Sequence, residues 1–189
     1  AYVYLRLQFA QTVRDELAFG PRNLGVDEEE VMRRVENVAR ELELTEYLDI
    51  SPFNLSQGLK QRVAVASAVT MNPKILVVDE PTTGQDYARA AAMMELVKKL
   101  NQRGTTVIVI SHNMDLMAAY CHKVVVFLDG QVIHIGTPKE VFQREDILAR
   151  TALKPPQVTL IGKKLNDMGV PQDIITVDEM LQFLDKVVM

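Results

Sequence analysis

Apolar positions along the chain follow two periods, and the stretches where each holds mark out the elements. Val31, Val35, Val38, Ala39 and Leu42 recur every three or four residues, which predicts an amphipathic helix over 28–44. Asp27 stands ahead of it as an N-cap, with Glu30 three residues on as a capping-box acid. Ser56 is placed to cap a second helix over about 59–71, which Pro73 breaks. Ile75-Leu76-Val77-Val78 is a short uninterrupted apolar run, as expected of a strand buried on both faces of a parallel sheet. A helix over 87–103 closed by Gly104, a β-branched strand over 105–110 and a helix over 113–120 follow. Strands over 123–128 and 131–135 are joined by Asp129-Gly130, a strong hairpin signal. Thr137-Pro138-Lys139-Glu140 then supplies the cap, first-turn proline and N3 acid of a helix start.

From about Leu153 the pattern changes. Lys154-Pro155-Pro156 interrupts the chain, and Val158, Ile161, Leu165 and Met168 outline a short amphipathic helix ended by Gly169. Thr176 and Glu179 form a last capping box before Met180, Leu181, Leu184 and Val188. The tail is expected to be a small helical appendage with one buried face.

Composition narrows the function classes. With 189 residues, 48% of them hydrophobic, the chain can bury a real core in one domain plus an appendage. A net charge of −4 argues against a dedicated nucleic-acid surface, which is normally basic. Cys121 is the only cysteine, so no internal disulfide forms, and its neighbours Met117 and Ala118 mark it as a packed small thiol. The longest apolar run, 124–128, is too short to span a bilayer, and no signal peptide is visible, so any membrane role is that of a peripheral subunit.

The candidate chemistry lies in four short strings. The strand at 75–78 runs directly into Asp79 and Glu80. Two carboxylates at a buried strand end are costly unless they meet a metal or a partner. A strand ending in Asp is how nucleotide hydrolases hold Mg²⁺, and the following Glu is placed to position or deprotonate an attacking water. Read alone, the pair could equally be a solvated acidic loop. Upstream, Leu55-Ser56-Gln57-Gly58 opens a helix with a hydroxyl, a glycine and free N–H groups, an anion-binding set that is also an ordinary helix cap. Downstream come Thr83-Gly84-Gln85-Asp86 and, after the next strand, Ser111-His112. His122 and His134 have no such context, and no spacing of His, Cys, Asp and Glu suggests a structural metal site.

In their order and spacing these strings resemble the ATP-binding subunit of ABC transporters, over roughly residues 8–142. The resemblance implies an α/β fold. It would be the C-terminal part of a P-loop ABC ATPase domain, with a helical subdomain at about 11–72 and part of the parallel RecA-like sheet. Residues 1–150 would hold that domain and 151–189 a helical extension. It further implies ATP and Mg²⁺ as cofactors, Asp79 as the metal-orienting acid, Glu80 as catalytic base and His112 as the switch histidine at the γ-phosphate. Ser56 and Gly58 match the signature loop that contacts a γ-phosphate held by the opposite subunit, and Asp86 belongs to the D-loop joining the two sites. Gln57 stands where the family has Gly, Leu59 where it has Gln, and Gln85 where it more often has Leu.

Phe9-Ala10-Gln11-Thr12-Val13, followed by Phe19-Gly20-Pro21-Arg22-Asn23-Leu24-Gly25, is similar to the ATPases of energy-coupling-factor (ECF) importers of vitamins and of cobalt or nickel ions. The implied partners are a second ABC ATPase, identical or different, and an integral-membrane subunit, with no nucleic acid and a place on the cytoplasmic face of the membrane. The tail after 153 resembles an ECF extension that helps pair subunits. Gln8 is the nearest glutamine to the Q-loop position, and the residues before it do not match.

No G-x-x-x-x-G-K-[ST] phosphate loop occurs in the 189 residues. The expectation is therefore the C-terminal part of a larger ATPase, inactive in isolation. The alternatives are an incomplete subunit that serves as a partner or interaction module, and a non-transport ABC ATPase.

Overall fold

The computed structural model describes residues 10–188 together with the backbone of Tyr2 and Val3. Gln8 and Phe9 lie outside the described residues. The chain forms two compact units, Ala1–Ser111 and His112–Met189.

The first unit is built on a parallel sheet in the order β1 (Tyr2–Val3), β2 (Ile75–Asp79), β3 (Thr106–Ile110). Helices α1 (Val13–Asn23), α2 (Glu28–Glu41), α3 (Gln57–Val69) and α4 (Tyr87–Gln102) supply its core. All four contribute to one cluster that also takes Leu76 and Val78 from β2, with Val107 and Val109 of β3 packed against it. The other face carries Ile75 at 52%, Ile108 at 49% and Ile110 at 46% exposure. The strand expected to be buried on both faces is thus covered on one, because the helices of this unit all feed the same core.

Helix α1 was not expected from periodicity, and its start has a plain chemical cause. Thr12 accepts from Asp15 N at 3.1 Å and donates its hydroxyl to the Asp15 carboxylate at 2.7 Å. Pro21 sits inside the last turn and lacks the N–H that would reach Leu17 O. The hydroxyl of Thr70, at the C-terminal end of α3, donates to that carbonyl instead, at 2.8 Å. Gly20 lets α1 approach α3, since a Cβ there would lie 2.8 Å from the Met71 side chain. Asp27 caps α2 as expected, accepting from Glu29 N at 3.0 Å. Glu30 closes no capping box. Arg33 and Arg34 take its carboxylate, and those hydrogen bonds hold its pKa down at about 2.

The second unit contains α5 (Met114–Tyr120), the antiparallel pair β4 (Val124–Leu128) and β5 (Gln131–Gly136), and α6 (Pro138–Gln143), α7 (Glu145–Thr151), α8 (Gln157–Lys164) and α9 (Val177–Val188). Asp129 and Gly130 both adopt positive φ, 49° and 76°, as a two-residue hairpin turn demands. Thr137 and Glu140 form both halves of the expected capping box, and so do Thr176 and Glu179. Phe142, fully buried, centres a cluster with Val124, Val126, Val141, Ile147 and Leu148. Burial raises the pKa of Cys121, which fits a packed thiol.

The expected apolar stripe of α8 is only half right. Val158 is buried, but Ile161 is 50% and Met168 79% exposed, while Thr159 and Gly162 turn inward. Gly162 packs against the 170–174 segment, where an added Cβ would sit in ordinary contact with Pro171 O, Val170 and Ile174. Met180 and Phe183 of α9 close over Val158, Val170 and Ile174, whereas Leu181 and Leu184 stay exposed.

Candidate active site

Strand β2 delivers Asp79 as its last residue, paired in register with Ile110, and Glu80 follows at once. Both are half-buried. Glu80 is held at φ +46°, the left-handed region that costs a non-glycine residue about 1–2 kcal/mol. Its N–H donates to Ile110 O at 2.8 Å, which extends the β2–β3 ladder by one bond and turns the side chain off the strand axis. The Thr83 hydroxyl donates to Glu80 Oε2 at 3.1 Å, and Ser111 Oγ lies 3.5 Å from the same oxygen. Two hydroxyls and a strained backbone therefore fix the orientation of this carboxylate.

The 81–86 turn follows. Thr83 N donates to Glu80 O and Gln85 N to Thr82 O, so the turn closes on itself. Asp86 ends it as the N-cap of α4, accepting from Arg89 N at 2.9 Å and pairing with the Arg89 guanidinium at 3.4 Å. Ser56 occupies the N-cap position of α3 and is exposed, but its hydroxyl makes no capping hydrogen bond. Sequence reasoning placed Ser56 correctly and assigned its hydroxyl a bond that it does not make. Gly58 lies in the first turn of α3. A Cβ there would meet only Gln85, at 3.7 Å, so nothing in the surrounding packing demands glycine. His112 follows Ser111 directly and is exposed as the first residue of the second unit.

Gln61 was not singled out from the sequence. It is 2% exposed and donates to Thr83 O at 2.9 Å. Thr83 and Ser111 also gain roles beyond those readable from spacing. The Thr83 hydroxyl three residues after Glu80 was visible in the string, but its direction depends on the left-handed backbone at 80.

A divalent cation fits Asp79 on the chemistry of its donor. Mg²⁺ is bound through one or two carboxylates plus substrate phosphate oxygens and water, not by an all-protein cage. Among the described residues no group of three or more His, Cys, Asp and Glu could hold a metal without further ligands.

Comparison with known proteins points to one family. Residues 5–83 match the family described as ABC transporter. An energy-coupling factor transporter ATP-binding protein, EcfA1, of Caldanaerobacter subterraneus subsp. tengcongensis is 41% identical over 178 residues, covering 93% of this chain and 64% of that protein. The EcfA protein of Methanocaldococcus jannaschii is 40% identical over 158 residues, 84% of this chain and 57% of that protein. Residues 5–83 carry a domain of the ABC transporter family, and the homologues over most of the chain are energy-coupling factor transporter ATP-binding proteins. The structure of cbiO1 from Clostridium perfringens, part of the ABC transporter complex cbiONQ, superposes with a TM-score of 0.71 at 32% identity. That alignment covers 84% of this chain and 64% of the other. The fold expected from the ABC resemblance, a parallel sheet with helices belonging to a P-loop ATPase domain, is the fold observed. The chain spans less than two thirds of the length of these ABC relatives. No helix among the described residues is long and apolar enough to cross a membrane.

Proposed function

We propose that the chain is the part of an ATP-hydrolysing subunit that carries the water-activating carboxylate, in an ECF-type importer of vitamins or transition-metal ions. The observation that carries this reading is the fixation of Glu80. Its backbone is strained, its N–H is tied to Ile110, and its carboxylate is held by Thr83 beside Ser111. Strain at a strand end is retained where it serves a site. In this reading Glu80 Oε takes the proton of the attacking water, and Asp79 holds Mg²⁺, which neutralises charge on the phosphates. Ser56 and Gly58 face a nucleotide held by a second ATPase subunit, Asp86 carries the turn between the two sites, and His112 contacts the γ-phosphate. The Ser56 hydroxyl, which makes no capping hydrogen bond, and the absence of any packing demand for glycine at 58 support the role of Ser56 and Gly58.

The proposed assembly is a dimer of ATPases, identical or different, on an integral-membrane subunit at the cytoplasmic face of the membrane. Residues 1–150 supply ATPase structure and 151–189 a helical extension that pairs subunits. An open surface hollow lined by Asp15, Phe19, Arg22 and Asn23 makes α1 our candidate surface for the membrane partner. The chain is expected to co-purify with a membrane subunit when the two are expressed together; recovery only of ATPase subunits would contradict the transport assignment. ATP turnover is expected from the complex and not from these 189 residues alone, which contain no phosphate-loop motif.

Gly58→Ala separates the ligand role from packing. Alanine is the better helix residue and meets only ordinary contact with Gln85. The variant should be more stable to denaturant by about 0.5 kcal/mol. Hydrolysis by the complex should nevertheless fall on the order of 10-fold or more, because a methyl group displaces the phosphate. Gain of stability with full hydrolysis would remove Gly58 from the site.

A further inference from the structure

We infer that Gln61 and Gln85 form an amide clamp that makes the phosphate-facing start of α3 and the turn behind Glu80 a single positioning unit. The inference rests on the functional reading above. Gln61 is almost fully buried, so both ends of its amide must find partners, and they do. Its Nε2 donates to Thr83 O at 2.9 Å, and its Oε1 accepts from Gln85 Nε2. The second hydrogen of Gln85 Nε2 goes to Pro81 O at 3.2 Å. Gln85 Oε1 lies across from Gly58, 3.7 Å from where a Cβ would stand.

The connections run without a gap. Gln61 is one turn along α3 from Gly58, and its amide holds the backbone of Thr83. The Thr83 hydroxyl holds the Glu80 carboxylate, and Gln85 returns from the far end of the turn to both Gln61 and Pro81. Any shift of α3 relative to the turn breaks a part-buried hydrogen bond between them. Within one subunit the elements proposed to serve two different nucleotides, Glu80 for its own and Ser56 with Gly58 for its partner's, thus move together. The glutamines touch no substrate. They act through Thr83 and Gly58, as positioning residues.

The test compares Gln61→Leu, Gln85→Leu and the double variant in the complete transporter complex, with Glu80→Gln alongside. Each single substitution is expected to lower kcat by about 5- to 10-fold, the loss of one buried hydrogen bond, with less than a twofold change in KM for ATP. The double variant should be no slower than the slower single, since the two act as one unit. Amide exchange at 83–86 should quicken at least about fivefold in each single variant, a readout that does not depend on turnover. Unchanged exchange and kcat in both singles, or effects that multiply in the double, overturn the clamp. Because Gln85 is half-buried, Gln85→Leu remains readable even where Gln61→Leu fails to fold. Full hydrolysis by Glu80→Gln with quickened exchange in the glutamine variants would overturn the functional reading and leave the clamp standing.

Discussion

Glu80→Gln is expected to lower ATP hydrolysis by the complete complex by about 10²–10⁴-fold, the range for loss of a general base, while ATP binding stays within about twofold. The substitution keeps the side-chain volume and leaves an amide oxygen to accept from the Thr83 hydroxyl, so the turn and the Ile110 hydrogen bond persist. What disappears is the ability to take a proton. Single-turnover measurement separates the two effects: bound ATP should persist unhydrolysed. A loss smaller than about 10-fold would assign the base elsewhere and leave the fixation of Glu80 without a chemical purpose. Glu80→Ala is the less informative variant, because it also abandons the Thr83 and Ser111 hydroxyls at a half-buried position.

Phe142→Ala is expected to destabilise the second unit by about 3–5 kcal/mol, the usual cost of emptying a fully buried phenylalanine site. Phe142 has no exposed surface and sits on α6 among Val124 and Val126 of β4 and Ile147 and Leu148 of α7. These neighbours come from separate elements that the ring holds apart, so they cannot collapse onto an alanine without moving a strand or a helix. Because the chain has two compact units, the change is best followed by amide exchange in β4 under increasing urea. Protection at Val124 and Val126 should fall with the full destabilisation. A loss below about 1 kcal/mol would mean that the cluster is looser than its burial indicates.

What the sequence made legible was local. Asp129-Gly130, Thr137 with Glu140, and Thr176 with Glu179 carry their chemistry within a few residues, and each forms the turn or cap expected of it. The acidic strand and its neighbour were visible because β-branched runs between turn residues leave little else to form. What stayed hidden depends on partners distant along the chain. Helix α1 tolerates Pro21 because Thr70, 49 positions later, supplies the missing donor to Leu17 O. The inward face of α8 is Val158, Thr159 and Gly162 against the distant 170–174 segment, not its largest side chains. The candidate site divides the same way. Asp79 and Glu80 were nominated from type and order and Ser56 and Gly58 from the family resemblance, whereas the Gln61–Gln85 link spans 24 positions and follows no motif. Glu30 shows the converse: a correctly spaced capping acid was outcompeted by two arginines on its own helix.

The left-handed backbone at Glu80 has a consequence for how this protein can change. Glycine would adopt that conformation without steric penalty and would release the strain stored at the end of β2. On the functional reading proposed above, glycine there would also remove the carboxylate that activates water. A glycine at 80 trades the steric cost at φ +46° against the loss of the contacts that Thr83 and Ser111 make with the carboxylate.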